Sequence, residues 1–247
     1  MKVVILCGGK GMRMRGLKED IPKALAKVND KPIIWHIMQH YSQFGHNHFV
    51  LPLGYQGDKI KEYFMNYTWR NHNVAINLKE QDYHLLDKSQ DWKILCIDTG
   101  QDTMTGARIK MLEEYIQDDV FCVTYGDGLS DINLETLLSF HKEKGKTVTV
   151  AGVKKNNQYG VLEVENGLAK AFHEKPGLQD IINGGFFICN KKFFEYLSLD
   201  PGCVLEEEPL AKLIEDNELA VYEHDGLWIS IDTPKDLEEA NKQWKNF

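Results

Sequence analysis

The strongest constraint on how this chain can fold is an alternation. Between residues 2 and 153, short apolar runs of strand length take turns with longer stretches whose apolar residues recur every three or four positions. The runs at 2–7, 48–53, 92–98, 120–125 and 147–153 read as strands, and the stretches at 31–44, 56–66, 105–116 and 134–144 read as helices. Ile60, Tyr63, Phe64 and Tyr67 give the helical spacing in one of them, and Pro32 and Gly45 bracket another. Strands joined by helices of this length predict an α/β fold of Rossmann-like type: a mostly parallel sheet with helices on both faces. After Val153 the spacing shortens. Runs at 160–165, 168–174 and 182–189, with a turn at Asn166-Gly167, predict a small antiparallel annex. A helix at 206–217, a strand at 219–224 and a last helix at 234–244 complete the chain. No linker or repeat divides it, so residues 1–247 are expected to form one domain. In it, 1–153 is a nucleotide-binding core and 154–247 carries the acceptor-binding part and the C-terminal helix.

The first strand runs straight into Cys7-Gly8-Gly9-Lys10-Gly11-Met12-Arg13. Glycines after a strand let backbone N–H groups approach a phosphate chain, and Lys10, Arg13 and Arg15 add positive charge there. The loop has neither the GxGxxG spacing nor the GK[ST] ending of a P-loop, so alone it is equally a tight strand-to-helix turn. Pro22-Lys23 follows, with a lysine placed to reach an α-phosphate or simply to sit in solvent. The run 120–125 ends in Gly126-Asp127-Gly128. A carboxylate at the carboxyl end of a parallel strand, between small residues, has room for Mg²⁺, or it caps a turn. Asp232, before Thr233-Pro234, is a second metal carboxylate or a helix N-cap. The four features together favour a phosphoryl-transfer site, in which positioning and charge stabilisation carry the catalysis.

In this order and spacing, Gly8-Gly9-x-Gly11-x-Arg13, Pro22-Lys23, Gly126-Asp127, Glu174-Lys175-Pro176, Asn183-Gly184-Gly185 and Asp232-Thr233 resemble the sugar-nucleotide pyrophosphorylase superfamily. Within it, Ile34-Trp35-His36, the stretch from Asp98-Thr99-Gly100 to Arg108, Thr124-Tyr125-Gly126-Asp127-Gly128, Glu206-x-Glu208-Pro209 and His224-Asp225-Gly226 are similar to the glucose-1-phosphate cytidylyltransferases. The chain departs from that pattern in four places: Met12 replaces the usual Thr, Asp20-Ile21-Pro22-Lys23-Ala24-Leu25 stands in place of Lys-Pro-Lys-Pro-Met, the stretch between Lys175-Pro176 and Asn183 is short, and Ile181 stands where a tryptophan is usual.

The resemblance implies a GT-A-like nucleotidyltransferase that moves CMP from CTP to a phosphorylated small molecule, with Mg²⁺ as cofactor and glucose 1-phosphate as the leading acceptor. The pathway it implies is nucleotide-sugar synthesis of the capsule or lipopolysaccharide kind. The acceptor phosphate is already an anion, so no general base is required. On this reading the nucleotide lies on Leu6, Cys7, Gly8, Gly9, Lys10, Gly11, Met12, Arg13 and Gly126. Arg13 holds the leaving pyrophosphate, Lys23 sits on the α-phosphate, and Thr103 and Arg108 touch the nucleotide, Arg108 at the cytosine edge or ribose. Asp127, with Arg13 and Lys23, is catalytic, and Asp127 and Asp232 hold Mg²⁺. Tyr159, Gly160, Glu174, Lys175, Asn183 and Gly184 line the acceptor. The altered segment 177–182 leaves a non-sugar phosphate, such as phosphoglutamine or a phosphonate, as an alternative acceptor. A nucleotide-sensing homologue without catalysis is the other alternative.

The formal net charge of −8 argues against nucleic acid or an anionic membrane as a partner. Five cysteines, with no CxxC pair, read as thiols in a reducing compartment. No signal peptide or long apolar span is legible, and the cytoplasm is the expected location. His36 and His40 have ligand spacing but no third ligand. The polar segment 71–91 reads as irregular, a flap or an oligomer contact, and a homo-oligomer is a possible assembly.

Overall fold

The computed structural model describes residues 1–9, 21–154, 161–165, 167–173 and 181–244. Nine strands form one sheet: β1 (Lys2–Leu6), β2 (His48–Leu53), β3 (Lys93–Asp98), β4 (Val120–Tyr125), β5 (Val148–Lys154), β6 (Val161–Glu165), β7 (Leu168–His173), β8 (Ile181–Asn190) and β9 (Leu219–His224). The run β3-β2-β1-β4 is parallel throughout. Pro52 is accommodated in β2 because β1 has already left that edge: its last partner there is Val50.

The antiparallel annex is continuous with this sheet. β8 pairs antiparallel with β4, from Phe186 opposite Thr124 to Asn190 opposite Val120. Its other edge takes β5, which in turn pairs parallel with β9. The hairpin β6–β7 joins β8 to β9, so β5, β9, β7, β6 and β8 close a circuit of pairings. Gly167, at φ +77°, makes the hairpin turn where a side chain would be strained.

Both sheet faces are covered, which is why the strands read as unbroken apolar runs. In β1, Val3 and Ile5 face one layer and Val4 the other. The first layer packs helix α1 (Ile33–Gln43) through Ile33, Ile34, Ile37, Met38 and Tyr41, all buried. The second packs α4 (Thr105–Lys110) and α6 (Glu208–Glu215), with Ile109, Leu210 and Leu213 fully enclosed. Each such side chain contributes roughly 1.5–3 kcal/mol by leaving water. The remaining helices are α2 (Gly57–Met65), α3 (Tyr67–Asn71), α5 (Leu134–Lys144) and α7 (Pro234–Gln243).

Two expectations are corrected. The helix read over 105–116 stops at Lys110 and tightens into i→i+3 bonds, Leu112 N to Ile109 O and Tyr115 N to Leu112 O. Leu112 and Ile116 are still buried, so the apolar spacing persists past the helix end. The segment 71–91 is a hairpin, with Val74–Asn77 antiparallel to Asp82–Leu85. With Trp69 it frames an apolar hollow of about 450 Å³, where Ile76, Leu78 and Tyr83 are exposed.

The histidine pair on α1 has other partners. His36 Nε2 meets Val28 O at 2.8 Å, and Trp244 Nε1 donates to its Nδ1 at 3.1 Å. His40 packs edge-on against Phe44 and Phe186, and among the described residues its Nε2 has no partner. Burial pushes the His40 pKa down to about 4. A depressed histidine loses stability as pH falls, because the unfolded chain takes up the proton first. Unfolding free energy should therefore drop between about pH 6.5 and pH 4, and His40→Phe should remove on the order of 3 kcal/mol of that drop. Denaturant titrations at pH 7 and pH 4.5 read it, and equal slopes for both proteins count against the assignment.

Candidate active site

β1 and β4 lie side by side in register, Leu6 opposite Tyr125, and their chains part at the carboxyl ends. Gly126 N donates to Leu6 O at 2.9 Å, and a Cβ at Gly126 would lie 2.7 Å from that oxygen. Glycine is required there for the two loops to run so close. The cleft between them, about 160 Å³, is lined by Leu6, Cys7, Gly9, Lys23, Ala24, Gly126 and Asp127. Cys7 is a small neutral wall in this cleft: burial raises its thiol to about 12, which removes it as a nucleophile.

Lys23 opens a short 3₁₀ turn, Lys23–Leu25, with Pro22 in extended conformation before it. Its Nζ lies 2.7 Å from Asp127 Oδ2 and 2.7 Å from Asp232 Oδ1. Burial alone lowers the lysine pKa, but attraction and hydrogen bonding to Asp127 and Asp232 outweigh it, so the ammonium titrates above its usual range.

The two carboxylates are brought together by a ribbon. Gly128–Ser130 pairs antiparallel with Trp228–Ser230, and Ile231 N donates to Asp127 O at 3.0 Å. Ser230 Oγ donates to Asp232 Oδ2 at 2.9 Å. Asp232 is not the N-cap of α7. That position belongs to Thr233, which forms a capping box with Asp236. Asp232 Oδ1 faces Lys23 instead. Among the described residues no group of three or more His, Cys, Asp or Glu gathers in one place. The pair Asp127–Asp232 offers hard oxygen ligands suited to Mg²⁺, which keeps several waters and takes substrate phosphates for the rest. The residues present fit that ion.

Arg108, expected to touch the nucleotide at the cytosine edge or ribose, has protein oxygens around it. It is 4% exposed. Its guanidinium donates to Leu53 O at 3.1 Å, Thr99 Oγ1 at 2.6 Å, Gly8 O at 3.1 Å and Gln101 O at 3.4 Å. A Cβ at Gly8 would sit 2.5 Å from this guanidinium. Arg108 therefore fixes the start of the glycine loop from below. Thr103 lies beside Gly100, where an added Cβ would come within 3.0 Å of its Oγ1.

On the acceptor side, Asn183 and Gly184 sit in β8, where Trp228 Nε1 donates to Gly184 O at 2.7 Å. Lys10, Gly11, Met12, Arg13, Arg15, Tyr159, Gly160, Glu174 and Lys175 lie outside the described residues. Residue roles unassigned from the sequence are those of Thr99, Tyr125, Ser230 and Glu206. Thr99, Tyr125 and Glu206 fall inside the segments that carry the resemblance, which was the available signal. Ser130, Asp131 and His224 form a cluster, but Ser130 Oγ at 3.2 Å and Asp131 Oδ1 at 3.0 Å share the same His224 nitrogen. A nucleophile–base–carboxylate triad uses both ring nitrogens, so this is not one.

A model of the nucleotidyl transferase family matches residues 2–246. The chain belongs to that family. It is 50% identical over 244 residues to the probable glucose-1-phosphate cytidylyltransferase of Bacillus subtilis (strain 168), covering 99% of this chain and 96% of that one. It is 37% identical over 257 residues to the glucose-1-phosphate cytidylyltransferase of Salmonella typhi, covering all of both. Among solved structures it superposes on HddC from Yersinia pseudotuberculosis with a TM-score of 0.79 at 23% identity, covering 99% of each chain. It superposes on a UDP-glucose pyrophosphorylase complexed with UDP-glucose with a TM-score of 0.74 at 19% identity, covering 98% and 97%. These likenesses establish the fold as that of the nucleotidyl transferases. Among the described residues no helix is long and apolar enough to cross a membrane.

Proposed function

We propose that this nucleotidyl transferase moves CMP from CTP to a sugar 1-phosphate, with glucose 1-phosphate as the leading acceptor, and releases pyrophosphate. The observation that carries the reading is the Lys23 ammonium, held 2.7 Å from both Asp127 and Asp232 at the mouth of the glycine turn. The 50% identity to a protein named for that reaction supports the choice of CTP and sugar phosphate.

An acceptor phosphate oxygen attacks the α-phosphorus of CTP. The new P–O bond forms as the bond to the pyrophosphate oxygen breaks, and no proton needs to move. The backbone from Leu6 to Gly9, continuing through Lys10, Gly11 and Met12, cradles the triphosphate, with Gly8 held from below by Arg108. Lys23 turns from the carboxylates to the α-phosphate, and Arg13 takes the leaving pyrophosphate. Asp127 and Asp232 would hold Mg²⁺, which when bound would supply neutralisation of the phosphate charge. Lys175 clamps the acceptor phosphate, and Tyr159, Gly160, Glu174, Asn183 and Gly184 contact the rest of it.

The test is pyrophosphate release with CTP, UTP, GTP or dTTP against a panel of sugar 1-phosphates, phosphoglutamine and phosphonates. CTP with glucose 1-phosphate is expected to lead by about tenfold or more in kcat/KM. Release confined to non-sugar acceptors removes the sugar, and a preference for another nucleotide removes CTP.

A further inference from the structure

Tyr125 ends β4, two residues before Asp127, and its hydroxyl has two partners. It meets the carboxylate of Glu206, and it lies 3.2 Å from Asn183 Nδ2. The directions of these bonds are fixed by chemistry. A carboxylate only accepts, so the tyrosine O–H donates to Glu206. The hydroxyl lone pairs then face Asn183, whose amide N–H donates to them. Asn183 Oδ1 in turn accepts from Gly185 N at 2.8 Å. Gly185, at φ +77°, brings its backbone onto the tyrosine ring; a Cβ there would be 2.4 Å from the ring edge. The other Glu206 oxygen accepts from Thr105 Oγ1 at 2.9 Å, and Thr105 Oγ1 accepts from Leu205 N at 2.9 Å. Every hydrogen in this chain has one possible sense. Thr105 is the first residue of α4, the helix that also carries Arg108 beneath Gly8.

We propose that Glu206 and Tyr125 are positioning residues for the acceptor: they lock the Asn183 carboxamide with one N–H and one oxygen lone pair that have no partner among the described residues, a pattern that fits a hydroxyl group of a polyol phosphate. This rests on the placement of Asn183 on the acceptor side. A hydroxyl both donates and accepts, so it satisfies the amide's two remaining positions at once. Without Glu206 the tyrosine hydroxyl is free to reverse, and the amide loses its fixed sense. The same carboxylate ties Tyr125 to Thr105, on the helix that carries Arg108.

The test is steady-state kinetics of Tyr125→Phe and Glu206→Gln with the best sugar phosphate of the panel and with its deoxy analogues. Glutamine keeps the shape but presents an N–H₂ to one of two groups that need an acceptor. Acceptor KM is expected to rise by about tenfold or more in both variants, while the KM for CTP stays within about threefold. Calorimetric CTP affinity without acceptor should also hold. Removing one acceptor hydroxyl should penalise the wild type about tenfold and the variants much less, because the lost contact is the same one. Parallel rises in both KM values, or a deoxy penalty undiminished in Tyr125→Phe, overturn the proposal. Conservative Thr105→Ser, which keeps the hydroxyl, should behave as wild type. A wild type that turns over no phosphate in the panel overturns the functional reading along with this one, whereas an active wild type with unchanged variants overturns this one alone.

Discussion

Replacing Lys23 by methionine is expected to lower kcat/KM by about 10²–10³-fold, the scale seen when one preorganised donor to developing charge is lost. The same change is expected to tighten the nucleotide-free protein's hold on Mn²⁺, used as a spectroscopic substitute for Mg²⁺. The reason is where the ammonium sits. It lies 2.7 Å from each of two carboxylates that are themselves only partly exposed, so in the free protein it is their counter-ion. A divalent cation approaching that pair either meets the ammonium at close range or displaces it. Nucleotide phosphates give Lys23 another partner and free the carboxylates, so nucleotide and metal should each strengthen the other's binding by the same factor. Methionine keeps the length and removes the charge. Mn²⁺ binding to the free variant, read by electron paramagnetic resonance, should be about tenfold tighter or better than to the wild type, one unit of the usual tenfold scale being about 1.4 kcal/mol. Equal affinities would mean that the lysine is a bystander.

Asp127→Asn should cost about 10³-fold in kcat, with CTP affinity kept or improved because a negative charge has left the triphosphate's neighbourhood. Asp232→Asn should do much the same. The informative variant is the double one. If the carboxylates serve one ion, removing the second after the first costs little, and the losses fall far short of multiplying. Independent roles predict a product of the two losses. A single Asp127→Asn protein that keeps a tenth of wild-type turnover is incompatible with the site as described. Asparagine can still accept from Lys23 through its Oδ1, so folding is expected to survive, and the thermal midpoint checks this.

What the sequence disclosed follows from where the information is local. Strand 120–125 and helix 134–144 are found to the residue, since burial on both faces or on one stripe writes itself into the apolar spacing. The place of β8 is different. The short spacing after Val153 gave its antiparallel sense, but nothing in Ile181–Asn190 says that it lies between β4 and β5, because a strand buried on both faces does not name its neighbours. The hairpin at Val74–Asn77 and Asp82–Leu85 was hidden because its strands are four residues long and carry Asn, Asp and His among the apolar positions. Lys23, Asp127 and Asp232 were each legible as types at strand ends or loops. Their convergence was expected from the set of features and the resemblance, but not the means of it, because the ribbon that joins 127 to 232 is only three residues on each side. The bracing contacts of Arg108 were hidden for a physical reason: only the fold brings the four protein oxygens around it together.

The Lys23 pairing also has a bearing on synthesis. Its two carboxylate partners lie 104 and 209 positions downstream. A chain emerging from the ribosome completes β1, the glycine turn, Lys23 and Asp127 while Asp232 is still to be made, and domains form from the N-terminus onward. During that interval the ammonium has one carboxylate instead of two, and the three-residue ribbon has no second strand. The carboxylate pair around Lys23 is therefore complete only once residue 232 has been translated, after the last strand of the sheet.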